Sequence, residues 1–231
     1  MQVIEKTPEK LVLRLDANLP LLNAIRRAAS EVPTLAIDEV EIFKNDSALY
    51  DEVLAHRIGL IPLKTEKSMS SKTKIQLKLS KSGPGTVYAE DIEGPAEIPF
   101  GKIPITILGK NHKLELTATA VLGFGSEHAK YSPGIIYYRH LLEVKSSPQI
   151  DKVIQNAKTI IKPEKKGSKW LCDLKDADVK EIDDIDKDAV SDSEEVLLFV
   201  ESFGMMKAED IFKGALTALA ENLDAFEKEI K

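Results

Sequence analysis

The sequence of 231 residues contains one cysteine, Cys172, and no apolar run close to the roughly 20 residues of a membrane-spanning helix. A single cysteine excludes intrachain disulfides, zinc ribbons and iron–sulfur clusters, because each of these needs two or more thiolates. The first ten residues also lack the basic and then apolar layout of a secretion signal. These absences predict a cytoplasmic globular protein in which Cys172 is a small buried residue.

Motifs of several enzyme classes are also absent. There is no Walker loop and no Gly-x-Ser-x-Gly elbow, and Gly123-Phe124-Gly125 lacks the third glycine of a dinucleotide loop. Glu52 and His56 stand four residues apart on a predicted helix, but no second histidine or carboxylate follows at ligand spacing. We interpret them as a surface or packing pair, with metal-assisted catalysis as the alternative.

The charge of the chain is concentrated in one segment. The net charge is −6, and residues 173–195 alone carry eleven acidic and three basic side chains. The remaining residues are therefore close to neutral, which argues against a protein that binds nucleic acid by itself through clustered Lys and Arg. Residues 64–81 contain six lysines without interleaved aromatics, so we interpret them as a solvated loop, with single-strand binding as the alternative.

The two ends of the chain combine strands with helices. We predict strands at 10–16 and 35–43, separated by an amphipathic helix that begins at Pro20 and stops before Pro33. Asn45, Asp46 and Ser47 are cap candidates for a second helix, which we expect to end at Gly59 in the left-handed conformation.

The middle of the chain is rich in predicted strands. Apolar residues alternate with polar ones around 75–79, and further strands are predicted at 103–108 and 114–122. Ser147 and Pro148 open a short helix that Pro163 closes, and residues 162–195 are expected to be a lightly structured excursion. A strand at 196–203 and a helix at 207–230 complete an α+β chain.

The last predicted helix has the strongest periodic signal, because its apolar residues recur at alternating spacings of four and three. They are Phe212, Leu216, Leu219, Leu223, Phe226 and Ile230. This heptad spacing favours a seam against another helix. Packing on the chain's own sheet is the alternative, since only two and a half heptads are present.

Arg26 and Arg27 are adjacent on the first predicted helix, where successive side chains project about 100° apart. Both side chains therefore cannot face the core. We expect one to meet a partner or a carboxylate, with two solvated arginines as the alternative.

Five stretches, taken in order, closely resemble the D subunit of archaeal RNA polymerase. They are residues 21–27 (LLNAIRR), 31–38 (EVPTLAID), 54–63 (LAHRIGLIPL), 128–133 (HAKYSP) and 200–204 (VESFG). That family is similar to the N-terminal part of the bacterial α subunit and to the third-largest eukaryotic subunit. The resemblance implies a split dimerisation domain (1–45 and 195–231) and a β-rich insert domain (46–145). Residues 146–194 would then be the remnant of a cluster-type domain, with a short helix and the acidic excursion.

The resemblance also implies a non-catalytic role. In this family the D and L subunits pair, and the pair is the platform for the large A and B subunits and the small N and P subunits. DNA is reached only through the complex. The residues implied to face the large subunits are Arg26, Arg27, His56, Arg57, Ile58, Gly59, Leu60, Ile61 and Pro62. Those implied to face the L subunit are Phe212, Leu216, Leu219, Leu223 and Phe226.

Two departures from the relatives limit what is carried over. Some archaeal relatives hold an iron–sulfur cluster in an extra domain, but the matching region here offers Cys172 alone, so we expect no cofactor. We also expect no appended DNA-binding domain of the kind found in the bacterial α subunit, so promoter reading is not implied.

Overall fold

The computed structural model describes residues 1–16 and 18–231. The described residues form five α-helices: α1 Leu19–Ala28, α2 Asp51–Gly59, α3 Pro148–Asn156, α4 Asp176–Asp183 and α5 Ala208–Glu229. The first six strands are β1 Gln2–Lys6, β2 Lys10–Asp16, β3 Thr34–Asn45, β4 Lys74–Ser82, β5 Gly85–Tyr88 and β6 Ile92–Glu93. The other six are β7 Pro104–Leu108, β8 Lys113–Gly123, β9 Gly134–Lys145, β10 Glu164–Lys166, β11 Lys169–Cys172 and β12 Val190–Ser202. The predicted α+β class is confirmed. None of these helices is long and apolar enough to cross a membrane.

One compact unit comprises Met1–Lys6, Leu11–Asn23 and Ile136–Phe199. It is built on a six-stranded sheet with the order β1-β2-β12-β9-β11-β10. Leu171 and Cys172 are neighbours on β11 but belong to different apolar clusters, because successive strand residues point to opposite faces. The cluster around Cys172 includes Ile150 and Ile154 of α3 and Ile182 of α4. The two helices therefore cover that face of the sheet.

Arg14 of β2 joins strands that are distant in the sheet order. It donates hydrogen bonds to Glu195 of β12 and to both carboxylate oxygens of Glu164 on β10, the latter at 2.7 and 3.2 Å. Because β10 is the far edge strand, the sheet must curl until this edge approaches β2. The hydrogen bonds from Arg14 lower the pKa of both carboxyl groups.

The second compact unit comprises Thr7–Lys10, Ala24–Ile135 and Val200–Lys231. It contains a four-stranded sheet in the order β3-β8-β4-β6 and a two-stranded sheet of β5 and β7. On β4, Leu77 and Leu79 are buried while Gln76 and Lys78 are exposed, so the predicted half-buried strand is confirmed. The unit is stabilised by one apolar core to which both sheets and α2 contribute.

The predicted start of α2 was wrong, whereas its end at Gly59 is confirmed without the predicted left-handed conformation. The helix begins at Asp51, because Asn45 and Asp46 make other contacts: Asn45 accepts a hydrogen bond from the Ser47 amide, and Asp46 accepts one from the Lys113 amide. Gly59 lies inside the last turn and not in the left-handed conformation; the chain leaves the helix through Leu60 at φ −88°.

The acidic excursion was also predicted wrongly. Residues 162–195 hold β10, β11, α4 and the first part of β12 instead of a lightly structured loop. Leu174, Ile182 and Ala189 are each buried in the cluster beside α3. A few apolar side chains among many charged ones are enough to fold this segment, since burying a large one stabilises it by about 1.5–3 kcal/mol.

The predicted domains were defined by their expected roles in pairing and assembly. The two compact units do not test that division. The boundaries at 45, 145 and 194 stay a prediction.

Candidate interface surfaces

The helix α5 has two different halves. In the N-terminal half, Ala208, Ile211 and Ala215 are buried, and Gly214 lies so close to Val32 that a Cβ atom would be 3.0 Å from that side chain. This half therefore packs on its own unit. In the C-terminal half every residue from Glu221 onward is exposed.

The heptad residues follow this division. Phe212 and Leu219 are half-buried and Leu216 is exposed, whereas Leu223, Phe226 and Ile230 are 60, 64 and 68% exposed. Large apolar side chains at helical spacing on an exposed face are typical of an unoccupied protein interface. The alternative, in which the chain's own sheet covers the whole seam, is wrong for the C-terminal half.

Arg26 and Arg27 are both exposed in the last turn of α1. The end of this helix is fixed by neighbouring contacts: the Ser30 hydroxyl donates to the Arg27 carbonyl, and the Ser126 amide donates to the Ser30 carbonyl. Leu22, Ile25 and Ala28 are the buried residues of the same helix. Both arginines therefore lie on the surface, and their role toward a partner stays a prediction.

The segment from His56 to Pro62 requires a correction. Ile58, Ile61 and Pro62 are buried, and the two isoleucines belong to the core of the second unit. These three side chains form part of the chain's interior and cannot contact a large subunit directly. His56 and Leu60 are exposed and Gly59 is half-buried, so for these residues the prediction stands.

Arg57 has a structural contact within the chain. Its Nε donates to the carbonyl of Ile105 at 2.9 Å, and one Nη donates to the carbonyl of Pro104 at 2.7 Å. The guanidinium thereby holds α2 beside the beginning of β7. Sequence reasoning missed this contact because the two segments are nearly fifty residues apart.

The stretch HAKYSP forms a partly buried polar cluster with β3. Lys130 donates to Asp38 at 2.8 Å, and the hydroxyl of Tyr131 donates to the same oxygen at 3.1 Å. The hydrogen bond from Lys130 lowers the pKa of Asp38, while burial and then Asp38 raise the pKa of Tyr131 to about 12. Gly123 permits this packing, because a Cβ there would lie 2.6 Å from the Tyr131 ring. The sequence predicted none of these contacts.

Further predictions concern metal ligands, the single cysteine and the pair on α2. No group of three or more His, Cys, Asp or Glu residues within residues 1–16 and 18–231 could hold a metal ion. Cys172 is fully buried, as predicted, and burial raises the pKa of its thiol to about 12. Glu52 and His56 are both exposed on α2, in agreement with a surface pair.

The geometry thus leaves an exposed apolar stripe on α5 and two exposed arginines on α1, and the chain can be compared with known proteins. Residues 40–147 match the family described as the RNA polymerase Rpb3/RpoA insert domain. The DNA-directed RNA polymerase subunit Rpo3 of Pyrococcus horikoshii is 34% identical over all of this chain and 97% of its own length. The subunit Rpo3 of Methanocaldococcus jannaschii is 31% identical over 96% of this chain and 91% of its own. That of Thermococcus kodakarensis is 38% identical, but the match spans 64% of this chain and 62% of the relative.

An α+β chain that contains an Rpb3/RpoA insert domain is a member of the class of RNA polymerase subunits that includes Rpb3 and the bacterial α subunit. The chain belongs to the family of the archaeal RNA polymerase subunit Rpo3.

Proposed function

We propose that this chain is the assembly subunit of an archaeal DNA-directed RNA polymerase and contributes no catalytic residue of its own. It pairs with the small L subunit. The pair then carries the large A and B subunits and the small N and P subunits, and meets DNA only through the complex. Its place of action is the cytoplasm, where transcription takes place in cells of this kind.

The observation that carries this proposal is the exposed C-terminal half of α5. Leu223, Phe226 and Ile230 form one apolar stripe, and no side chain of the described chain buries them. A helix of a partner subunit that presents a similar stripe would bury this seam by heptad packing. Each of these three side chains contributes about 1.5–3 kcal/mol to pairing if the partner buries it fully.

The arginines at the end of α1 supply the second part of the proposal. Arg26 and Arg27 face the large subunits, together with His56, Gly59 and Leu60 around the end of α2. Ile58, Ile61 and Pro62 support this surface from inside the core and do not contact the partner. Arg57 positions the segment through its hydrogen bonds to β7.

The proposal includes no iron–sulfur cluster, because Cys172 is the only cysteine and its thiol is buried beside the Leu142 carbonyl. A cluster of the usual kind takes four ligands.

The test is co-expression of this chain with the L subunit, followed by size-exclusion chromatography. Leu223→Asp places a charge at the first position of the stripe, so we expect the heterodimer to dissociate into its subunits. Because Leu223 is exposed in the isolated chain, the substitution should change the free energy of unfolding of that chain by less than about 0.5 kcal/mol. Urea unfolding of the isolated variant measures this.

Ala225→Asp is the matched control. It introduces the same charge at an exposed position two residues further on, about 160° around the helix from Leu223. The control variant should elute as a heterodimer. A Leu223→Asp variant that also remains a heterodimer would show that the L subunit binds elsewhere and would overturn the assignment of this face.

A further inference from the structure

In the two-stranded sheet of the second unit, the outer edge of β7 is the one that carries this inference. β7 pairs with β5 through Thr86 opposite Ile107 and Val87 opposite Thr106. Within the residues that the structure describes, β7 has no strand on its other side. An open edge exposes a row of unpaired backbone groups, which proteins normally cover or blunt.

The hydrogen bonds around β5 and β7 identify the groups at this edge. Lys81 donates to the Thr86 carbonyl at 3.0 Å, so this carbonyl points away from β7. Opposed residues of an antiparallel pair exchange either both backbone bonds or neither. Thr86 and Ile107 are therefore a non-bonded pair, and the amide and carbonyl of Ile107 point to the open edge. The Ile105 carbonyl, two residues earlier, points the same way because it is bound by Arg57.

An apolar groove lies beside this edge. It has a volume of about 500 Å³ and is lined chiefly by Leu49, Tyr88, Ile105 and Ile107. The Ile107 side chain is 70% exposed. A single exposed isoleucine is ordinary. An exposed isoleucine on an open strand edge beside an apolar groove, however, forms a surface with which another strand can pair.

Arg57 gives the groove a charge. Its guanidinium covers the carbonyls of Pro104 and Ile105, so the open part of the edge begins after these residues. The other terminal nitrogen of this guanidinium has no hydrogen-bond or ion-pair partner within the described chain. It is therefore able to bind a carboxylate, and charge-assisted bonds of that kind are among the stronger ones.

We propose that β7 accepts a third strand from another polymerase subunit. The strand is an extended segment with an apolar side chain in the groove beside Ile107 and an acidic residue on Arg57. Backbone bonds to Ile107 would supply affinity, and the groove and the arginine would supply specificity. This inference rests on the proposed function, since it takes the partner from the same assembly.

The test is hydrogen–deuterium exchange of the free chain and of polymerase reconstituted from all subunits. Among the amides of residues 105–108, we expect that of Ile107, whose N–H points to the open edge, to exchange at least about tenfold more slowly on assembly. Ile107→Lys places a charge in the groove and on the strand edge, so the amide at position 107 should then exchange as in the free chain. Ile185→Lys is the control, because Ile185 is an exposed isoleucine of the other unit.

Several outcomes would overturn the inference. Unchanged exchange of the Ile107 amide in assembled wild-type polymerase would show that no strand is added. Exchange that is still slowed in polymerase containing the Ile107→Lys variant would show that the groove does not contribute to the protection. Slowing in the free chain that grows with its concentration would assign the edge to a second copy. If the wild-type chain fails to recover the large subunits at all, the proposed function itself fails, and co-purification distinguishes this case.

Discussion

Cys172 shows how much a single residue can be predicted from sequence and where prediction ends. One cysteine among 231 residues already indicates a buried, unreactive side chain, and the structure places it in the cluster beneath α3 and α4. The contacts of Tyr131 with Asp38, and of Arg57 with β7, were not predicted. Such polar contacts join segments that are far apart in sequence, and no local pattern records them.

We predict that the Cys172 thiol does not react with Ellman's reagent at pH 8 while the chain is folded. Burial raises its pKa to about 12, so only about one thiol in ten thousand is ionised at that pH. Urea should expose one thiol per chain.

The same purified chain should contain no stoichiometric iron, because one thiolate cannot hold a cluster. Rapid reaction of the folded chain, or bound iron and sulfide, would contradict these predictions.

At the scale of elements, periodic patterns were good guides, and many predicted boundaries lie within one or two residues of the observed ones. The strands predicted at 10–16 and 103–108 and the helix predicted at 207–230 are observed at Lys10–Asp16, Pro104–Leu108 and Ala208–Glu229. The period-two pattern of β4 and the heptads of α5 were predicted, because each comes from one continuous face. The start of α2 was wrong, since the nearby Asn and Asp side chains that resemble caps serve a turn and the Lys113 amide instead. β1 and β9 were also missed: β1 pairs with β2, the next strand along the chain, whereas β9 pairs with β11 and β12 further along it.

The curled six-stranded sheet gives a prediction at this scale. Replacing Arg14 by Gln removes charge-assisted bonds to Glu164 and Glu195, so we expect a loss of about 1.5–3 kcal/mol in the free energy of unfolding at pH 7. Lys166→Gln is the control, because Lys166 is an exposed residue 3.5 Å from Glu195 and such surface pairs contribute at most about 1 kcal/mol.

The effect of Arg14 should depend on pH with a definite sign. The pKa of Glu164 and of Glu195 is lowered in the folded chain, so their pairing stabilises the fold above the unfolded pKa of about 4.3. This stabilisation is lost as the pH falls through the folded values. The difference between wild type and Arg14→Gln should therefore shrink from pH 7 to pH 3. Urea unfolding at pH 7 and at pH 3 measures this difference in unfolding free energy. A difference that is the same at both pH values would mean that Arg14 stabilises the fold by packing and not by its charge.

At the scale of the whole molecule, the distribution of charge distinguishes this polymerase subunit from a protein that binds nucleic acid by itself. The net charge is −6, and the lysine-rich segment 64–81 carries six lysines and one glutamate. Two of its lysines are already neutralised: Lys67 pairs with Asp210 at 2.9 Å and Lys81 with Asp91 at 2.5 Å. Lys72, Lys74 and Lys78 remain exposed, without aromatic residues between them on which bases could stack.

We therefore predict that the isolated chain is not retained on immobilised double-stranded or single-stranded DNA at about 0.15 M salt, where non-specific binding depends on clustered cations. The triple variant Lys72→Glu, Lys74→Glu and Lys78→Glu should elute at the same volume as wild type. Reconstituted polymerase applied to the same column tests whether DNA is reached through the complex. Retention of the wild-type chain that falls with salt and disappears in the triple variant would contradict the prediction and would assign direct DNA binding to this segment.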